Sequence, residues 1–92
     1  MLKARFTNQF KKDYKLALKR GCKEETFLEV LNKLLNQEPL PEKNKDHALK
    51  GNWKKHRECH LAPDWLLIYT IIDDELILEL NRTGSHSDLF KM

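Results

Sequence analysis

The sequence predicts an α+β fold: an N-terminal strand, then an antiparallel helical hairpin packed on one face of a small, mainly antiparallel twisted sheet. Three observations lead there. Apolar residues recur three and four positions apart between residues 10 and 35, as on the buried stripe of a helix. Beyond Asp46 the chain changes to short runs of strand character. One of them, Trp65–Ile72, is apolar on both faces and reads as a central strand covered from both sides.

Residues 2–6 alternate apolar and basic side chains, a short strand pattern. Thr7 or Asn8 then offers a helix cap, and Phe10, Tyr14, Ala17 and Leu18 form the apolar stripe of a first helix. Gly21 supplies a left-handed stop just past Lys19 and Arg20, whose charges suit the negative end of the helix dipole. A second helix starts near Lys23, with Glu24 and Glu25 in its first turn. Phe27, Leu28, Leu31, Leu34 and Leu35 mark its buried side, and Pro39 bars its continuation. Residues 38–46 carry two prolines and form a loop longer than the usual span of about four to six residues, a length associated with function. Strands are expected at 48–53, 56–61, 65–72 and 76–81, with tight turns at 62–64 and 73–74. One sheet face then takes the helices and the other is left for a site.

A chain of 92 residues is read as one domain, 1–92, with material for a single core. Its net charge of +3 is modest, but the charges are segregated. Residues 1–20 hold seven bases against Asp13 alone, and residues 43–57 hold six, among them Lys50 and Lys54, against Asp46 alone. Acids gather elsewhere, at Asp73, Asp74, Glu75 and Glu79. Such a division suits an anionic partner, a nucleic acid or an acidic protein, although solvated charged faces give the same pattern. Cys22 and Cys59 form no CxxC pair and read as free thiols of a reducing compartment. Met1 is not followed by the apolar core of a signal peptide, and no stretch is long enough to span a bilayer. The expected location is the cytoplasm, away from membranes.

All four histidines, His47, His56, His60 and His86, fall in the strand-rich half. A metal site is disfavoured, because strand parity sends His56 and His60 to one face and Cys59 to the other. No Gly-x-Ser-x-Gly elbow surrounds Ser85 or Ser87, and neither cysteine has a histidine placed to activate it. Acid–base chemistry without a metal or cofactor is what remains. His47, His60, Asp64, Arg82 and His86 all come from element ends, which a meander could gather at one rim. Two histidines, a carboxylate and an arginine suit cleavage of an RNA phosphodiester: one group takes the 2′-hydroxyl proton, another protonates the leaving 5′-oxygen, and a cation steadies the phosphate. RNA would also use the basic surface around Lys50 and Lys54, and Trp53, Trp65 or Phe90 could stack on bases. A single histidine is more often structural, so only the set carries weight.

At these residues the chain resembles the RelE/YafQ-type toxins of bacterial toxin–antitoxin systems, and the YafQ branch in particular. Four blocks in the same order carry the resemblance: Asp46-His47-Ala48-Leu49-Lys50-Gly51-Asn52-Trp53, Arg57-Glu58-Cys59-His60, Pro63-Asp64-Trp65-Leu66-Leu67-Ile68-Tyr69, and Arg82-Thr83-Gly84-Ser85-His86-Ser87-Asp88-Leu89-Phe90. The N-terminal half agrees in pattern only. The resemblance implies a RelE-like fold and a ribosome-dependent mRNA endonuclease that arrests growth. It also implies a cognate antitoxin, with the pair binding its own operator DNA. By the same resemblance His86 is the leading candidate for the general acid, while His47, His60 and Asp64 assist proton transfer or orientation, the division between acid and base being left open. Arg82 steadies the phosphate, and Trp65 and Phe90 position the RNA or shape the pocket. Cys59 and Asn81 acquire no role. A different class also fits the charge pattern: a non-catalytic nucleic-acid- or partner-binding module on the same fold, which would not require the full histidine, aspartate and arginine set.

Overall fold

The apolar octapeptide is strand β4 (Trp65–Ile72), the centre of a five-stranded sheet. In the computed structural model, which describes residues 1–53 and 55–90, its companions are β1 (Lys3–Phe6), β2 (His47–Ala48), β3 (Arg57–Ala62) and β5 (Ile77–Gly84). The sheet order is β1-β5-β4-β3-β2, with β1 parallel to β5 and the other neighbours antiparallel. Helices α1 (Asn8–Lys19) and α2 (Glu24–Leu35) form the hairpin, and a short α3 (His86–Phe90) closes the chain. The architecture is the mainly antiparallel α+β fold expected.

Alternation along β4 divides the interior in two. Trp65, Leu67 and Tyr69 join Leu78 and Leu80 of β5 and Phe10, Ala17, Phe27, Val30 and Leu34 of the hairpin. Leu66 and Ile68 face the other way, beneath Leu89 of α3. Leu66, Leu67, Ile68 and Tyr69 are at most 1% exposed. Each contributes roughly 1.5–3 kcal/mol by leaving water.

Local chemistry sets the boundaries. Thr7 caps α1 by accepting the Phe10 N–H at 3.0 Å. Beyond α2, Gln37 takes a left-handed backbone and Glu38 N–H returns to the Lys33 carbonyl, which stops the helix before Pro39 is reached. The hairpin is rotated from the expected stripe: Val30 is buried, while Leu18 and Leu28 are 38% and 48% exposed. With Phe6 they border an apolar groove of about 440 Å³ on the outer helix face.

Three features depart from the strand pattern read in the sequence. The expected strand at 48–53 shrinks to the two residues of β2 and a 3-10 turn at Gly51–Trp53, because Gly51 takes φ +69° and ends the extended run. The strand expected to end at 81 continues to Gly84. Within it Tyr69 faces Leu80 while Ile68 faces Arg82, so Asn81 is one residue too many and bulges. Asn81 secures that bulge: its amide donates to Glu79 at 2.8 Å and accepts from Thr70 at 3.0 Å, and its carbonyl accepts from the Thr7 hydroxyl at 3.0 Å. The third feature is α3, a helix in a stretch for which the sequence reading named no element.

Leu67 is the test of this two-sided burial. Leu67→Ala should lower the unfolding free energy by about 2–5 kcal/mol, read as a lower urea midpoint with the slope unchanged.

Candidate active site

Antiparallel pairing of β2 with β3 sets His47 opposite Glu58. Glu58 and His60, two apart on β3, share its face, and β3–β4 pairing places them across from Ile68 and Leu66. His47 Nε2 lies 3.3 Å from Glu58 Oε1, and His60 Nε2 lies 3.9 Å from the same oxygen. Glu58 is 5% exposed, and among the described residues its Oε2 has no hydrogen-bond partner. His47 Nδ1 is 2.6 Å from the Lys45 carbonyl. A carbonyl only accepts, so His47 Nδ1 is the donor in that contact. Glu58 thus lies buried between two imidazoles, those of His47 and His60.

The His47 strand is held from behind. Asp46 accepts from the Tyr69 hydroxyl and from Arg57, whose Nη2 is 3.2 Å away. That carboxylate raises the Arg57 pKa, and burial followed by the Asp46 bond raises that of Tyr69. Buried Asn44 donates to the His60 carbonyl at 2.7 Å. Burial, with smaller contributions from charges on Lys45, His86 and His47, lowers the His60 pKa, against an opposing pull from Glu58. Cys59 points to the helix face, is 0% exposed and is pushed up to about 12 by burial, so it is an inert core thiol.

The opposing wall comes from α3. Ser85 and Asp88 form a reciprocal capping box: Ser85 N–H donates to the Asp88 carboxylate at 3.0 Å, and Asp88 N–H to the Ser85 hydroxyl at 3.2 Å. Arg20 at the end of α1 pairs with the same carboxylate at 2.6 Å. Gly84 is required here, because a Cβ at φ +156° would lie 3.0 Å from Asp88. Thus fixed, His86 meets Asp64 at 3.3 Å through both its N–H and its Nδ1. Its ring stands 5.8 Å from that of His60. Phe90, one helical turn on, continues the row 6.4 Å from both His86 and Trp53.

Of the residues singled out in the sequence, His47, His60, Asp64, His86 and Phe90 come together. Arg82 borders the same rim beside Asp64 but is turned toward α1. The bulge at Asn81 removes it from the Leu78 and Leu80 face, and at the strand edge its Nε and Nη2 close on Asp13 of α1, at 2.7 and 3.2 Å. Trp65 is 4% exposed among the helix-face core, so it shapes a wall and offers no face for stacking. Lys50 is exposed before the Gly51–Trp53 turn, and Lys54 lies outside the described residues. Glu58 had passed without a role, although parity with His60 signals it. The Ser85-His86-Ser87-Asp88 box is likewise a readable helix start. Among the described residues no group of three or more His, Cys, Asp or Glu side chains is placed to hold a metal ion.

The family model for the bacterial toxin of type II toxin–antitoxin systems, YafQ, matches residues 2–91. The chain belongs to the YafQ family. The mRNA interferase toxin YafQ of Escherichia coli (strain K12) is 46% identical over 87 residues, spanning 92% of this chain and 91% of that protein. A crystal structure of a metal-bound toxin from Helicobacter pylori superposes with a TM-score of 0.93 at 46% identity, covering 98% and 100% of the two chains. YafQ in the E. coli DinJ–YafQ toxin–antitoxin complex gives a TM-score of 0.86 at 40% identity, covering 97% of each chain.

In this YafQ-family toxin the capping box also has a pH signature. Hydrogen bonds from Ser85 first, then Arg20, hold the Asp88 carboxyl below its usual range. A depressed folded pKa contributes stability that is present above the ordinary carboxylate value of about 3.9 and lost as pH falls through the lower folded value. Asp88→Asn should remove that contribution, leaving a flatter fall in stability below about pH 4 than wild type shows; urea titrations across the acid range measure it.

Proposed function

We propose that this YafQ-family toxin is an mRNA interferase that cuts translated message on the ribosome by metal-independent acid–base attack of a 2′-hydroxyl on the adjacent phosphodiester. What carries the reading is the convergence of a buried carboxylate between two imidazoles and a separately oriented histidine. His47, Glu58 and His60 stand on one side, and His86, oriented by Asp64, faces them with the His60 and His86 rings 5.8 Å apart. Binding alone would not require a buried carboxylate between two imidazoles.

His60, kept neutral near pH 7 by the lowering of its pKa, accepts the 2′-hydroxyl proton, and Glu58 offsets the positive charge this creates. The 2′-oxygen bonds to phosphorus as the bond to the 5′-oxygen breaks. His86 passes its proton to that leaving oxygen. A 2′,3′-cyclic phosphate and a free 5′-hydroxyl result, and exchange with water resets both histidines. Arg82, whose Nη1 is not part of the Asp13 pair, adds positive charge at the rim. Phe90 and Trp53 offer aromatic surface for the neighbouring bases.

The same reading makes the protein a cytoplasmic toxin neutralised by a cognate antitoxin, as the E. coli DinJ–YafQ complex suggests by analogy, with the pair acting on operator DNA. No step draws on a metal ion, so chelator-treated protein should retain activity. His86→Ala should reduce cleavage of a reporter message in a translating extract by about 10²–10⁴-fold, and mapped 5′ ends would vanish with it. Full activity in both His86→Ala and His60→Ala would sink the assignment, and salt-sensitive binding without any cleavage by wild type would indicate a non-catalytic module. With His60 as base, the acid limb of kcat/KM should fall below the ordinary histidine value of about 6.5, whereas a limb above that value would move the role to another group.

A further inference from the structure

Two hollows, lined by neighbouring stretches of the chain at 63–64 and 85–86, differ in charge. The smaller, about 410 Å³, is bordered by Asp13, Arg20, Arg82 and Asp88, and each arginine is already ion-paired to one of those aspartates. The larger, about 730 Å³, is lined by Lys43, Asn44, Lys45, His60, His86 and the 61–63 segment, with no acid among its lining residues. Among the described residues no carboxylate pairs with Lys43 or Lys45. An anion entering the rim finds its unneutralised charge in the second hollow.

The loop bearing those lysines is tied to both histidines. Lys45 has φ +46° and ψ +46°, a left-handed conformation that costs a side-chain-bearing residue more than glycine. Its N–H donates to the Glu42 carbonyl and its own carbonyl receives the His47 ring, while neighbouring Asn44 holds the His60 backbone. A lysine at a glycine-like position, bound through its carbonyl to the His47 ring and lining an acid-free hollow, has its ammonium as the reason to be there. We propose that this hollow is the track of the RNA strand beside the scissile bond, and that Lys45 binds a flanking phosphate there. The inference rests on the interferase reading and adds to it where the substrate lies. Lys50 and Lys54, the lysines favoured by the sequence, are not needed for it.

The test separates the track from the chemistry. In a His86→Ala parent, which does not depend on cleavage, binding of a single-stranded RNA oligonucleotide is titrated against salt, starting at low ionic strength. Lys45→Gly suits the left-handed backbone and should fold at least as well as its parent. It should nonetheless bind about tenfold more weakly, and its log–log salt dependence should be shallower by about 0.7, one single-strand phosphate. Lys45→Arg should restore both. In protein with His86 intact, Lys45→Gly should raise KM more than it lowers kcat. Unchanged affinity and salt slope in Lys45→Gly, or no RNA binding by the parent at low salt, would overturn the track. Absence of cleavage by wild type with these binding shifts intact would instead refute the interferase reading and leave the track standing.

Discussion

Because β4 is buried on both faces, each side of the sheet needs its own cover, and the two covers are unequal. The hairpin of α1 and α2 supplies one through Phe10, Ala17, Phe27, Val30 and Leu34. The other is made by Leu89 of α3, with Leu49, Trp53 and Phe90 packed against it. A helix of five residues does not persist alone in water. It exists because Leu66 and Ile68 must be covered and because Ser85 and Asp88 satisfy its first turn. The position of His86 is therefore a consequence of hydrophobic packing. The same burial that stabilises the sheet brings a histidine from the chain's end to face one from β3.

Polar groups at that rim run against the logic of the core beneath them. Glu58 sits among residues excluded from water, with one oxygen shared between two imidazoles and the other, among the described residues, unpartnered. A carboxylate so placed without compensation costs several kcal/mol. The imidazoles of His47 and His60 flank its shared oxygen, at 3.3 and 3.9 Å. The surrounding contacts, Asp46 with Tyr69 and Arg57, and Asn44 with the His60 carbonyl, fix the backbone while leaving those ring nitrogens facing the site. Rigidity is placed one layer behind the histidine rings.

The sheet was readable because its signals are local: the double-faced apolar run of β4, the alternation in β5 and the Gly21 break between the helices. The gathering of His47, Asp64 and His86 was readable because each lies at an element end, whereas His60 sits within β3 and is brought in by its pairing with Leu66. What escaped depended on non-local pairing or on overlooked local chemistry. Asn81 bulges only because Ile68 and Tyr69 pair out of step with β5, and that shift, invisible in composition, decides where Arg82 goes. Trp65 is aromatic and adjacent to Asp64, yet parity alone puts it in the core. Val30 displaced Leu28 from the buried stripe because the hairpin's rotation is set by the sheet it rests on. Glu58 and the capping box were legible by simple rules of alternation and spacing, and were obscured by the histidines beside them.

Arg82 shows how structure and chemistry can share one side chain. β1 stops at Phe6, so the far end of β5 has no strand partner on that edge. Asp13 of α1 stands in for one: it accepts the Thr83 N–H at 3.2 Å as well as the Arg82 guanidinium, and its side chain is only 10% exposed. The Asp13–Arg82 pair thus docks α1 against the strand that leads into α3. Loss of activity on replacing Arg82 would mix the loss of a positive charge with the release of α1, and Asp13 left buried without its partner would add to the damage. Lys45 has no such structural duty in its side chain, since its ties to His47 and Glu42 run through the backbone. Of Arg82 and Lys45, the lysine is the one that, among the described residues, can be replaced without breaking an ion pair of the fold.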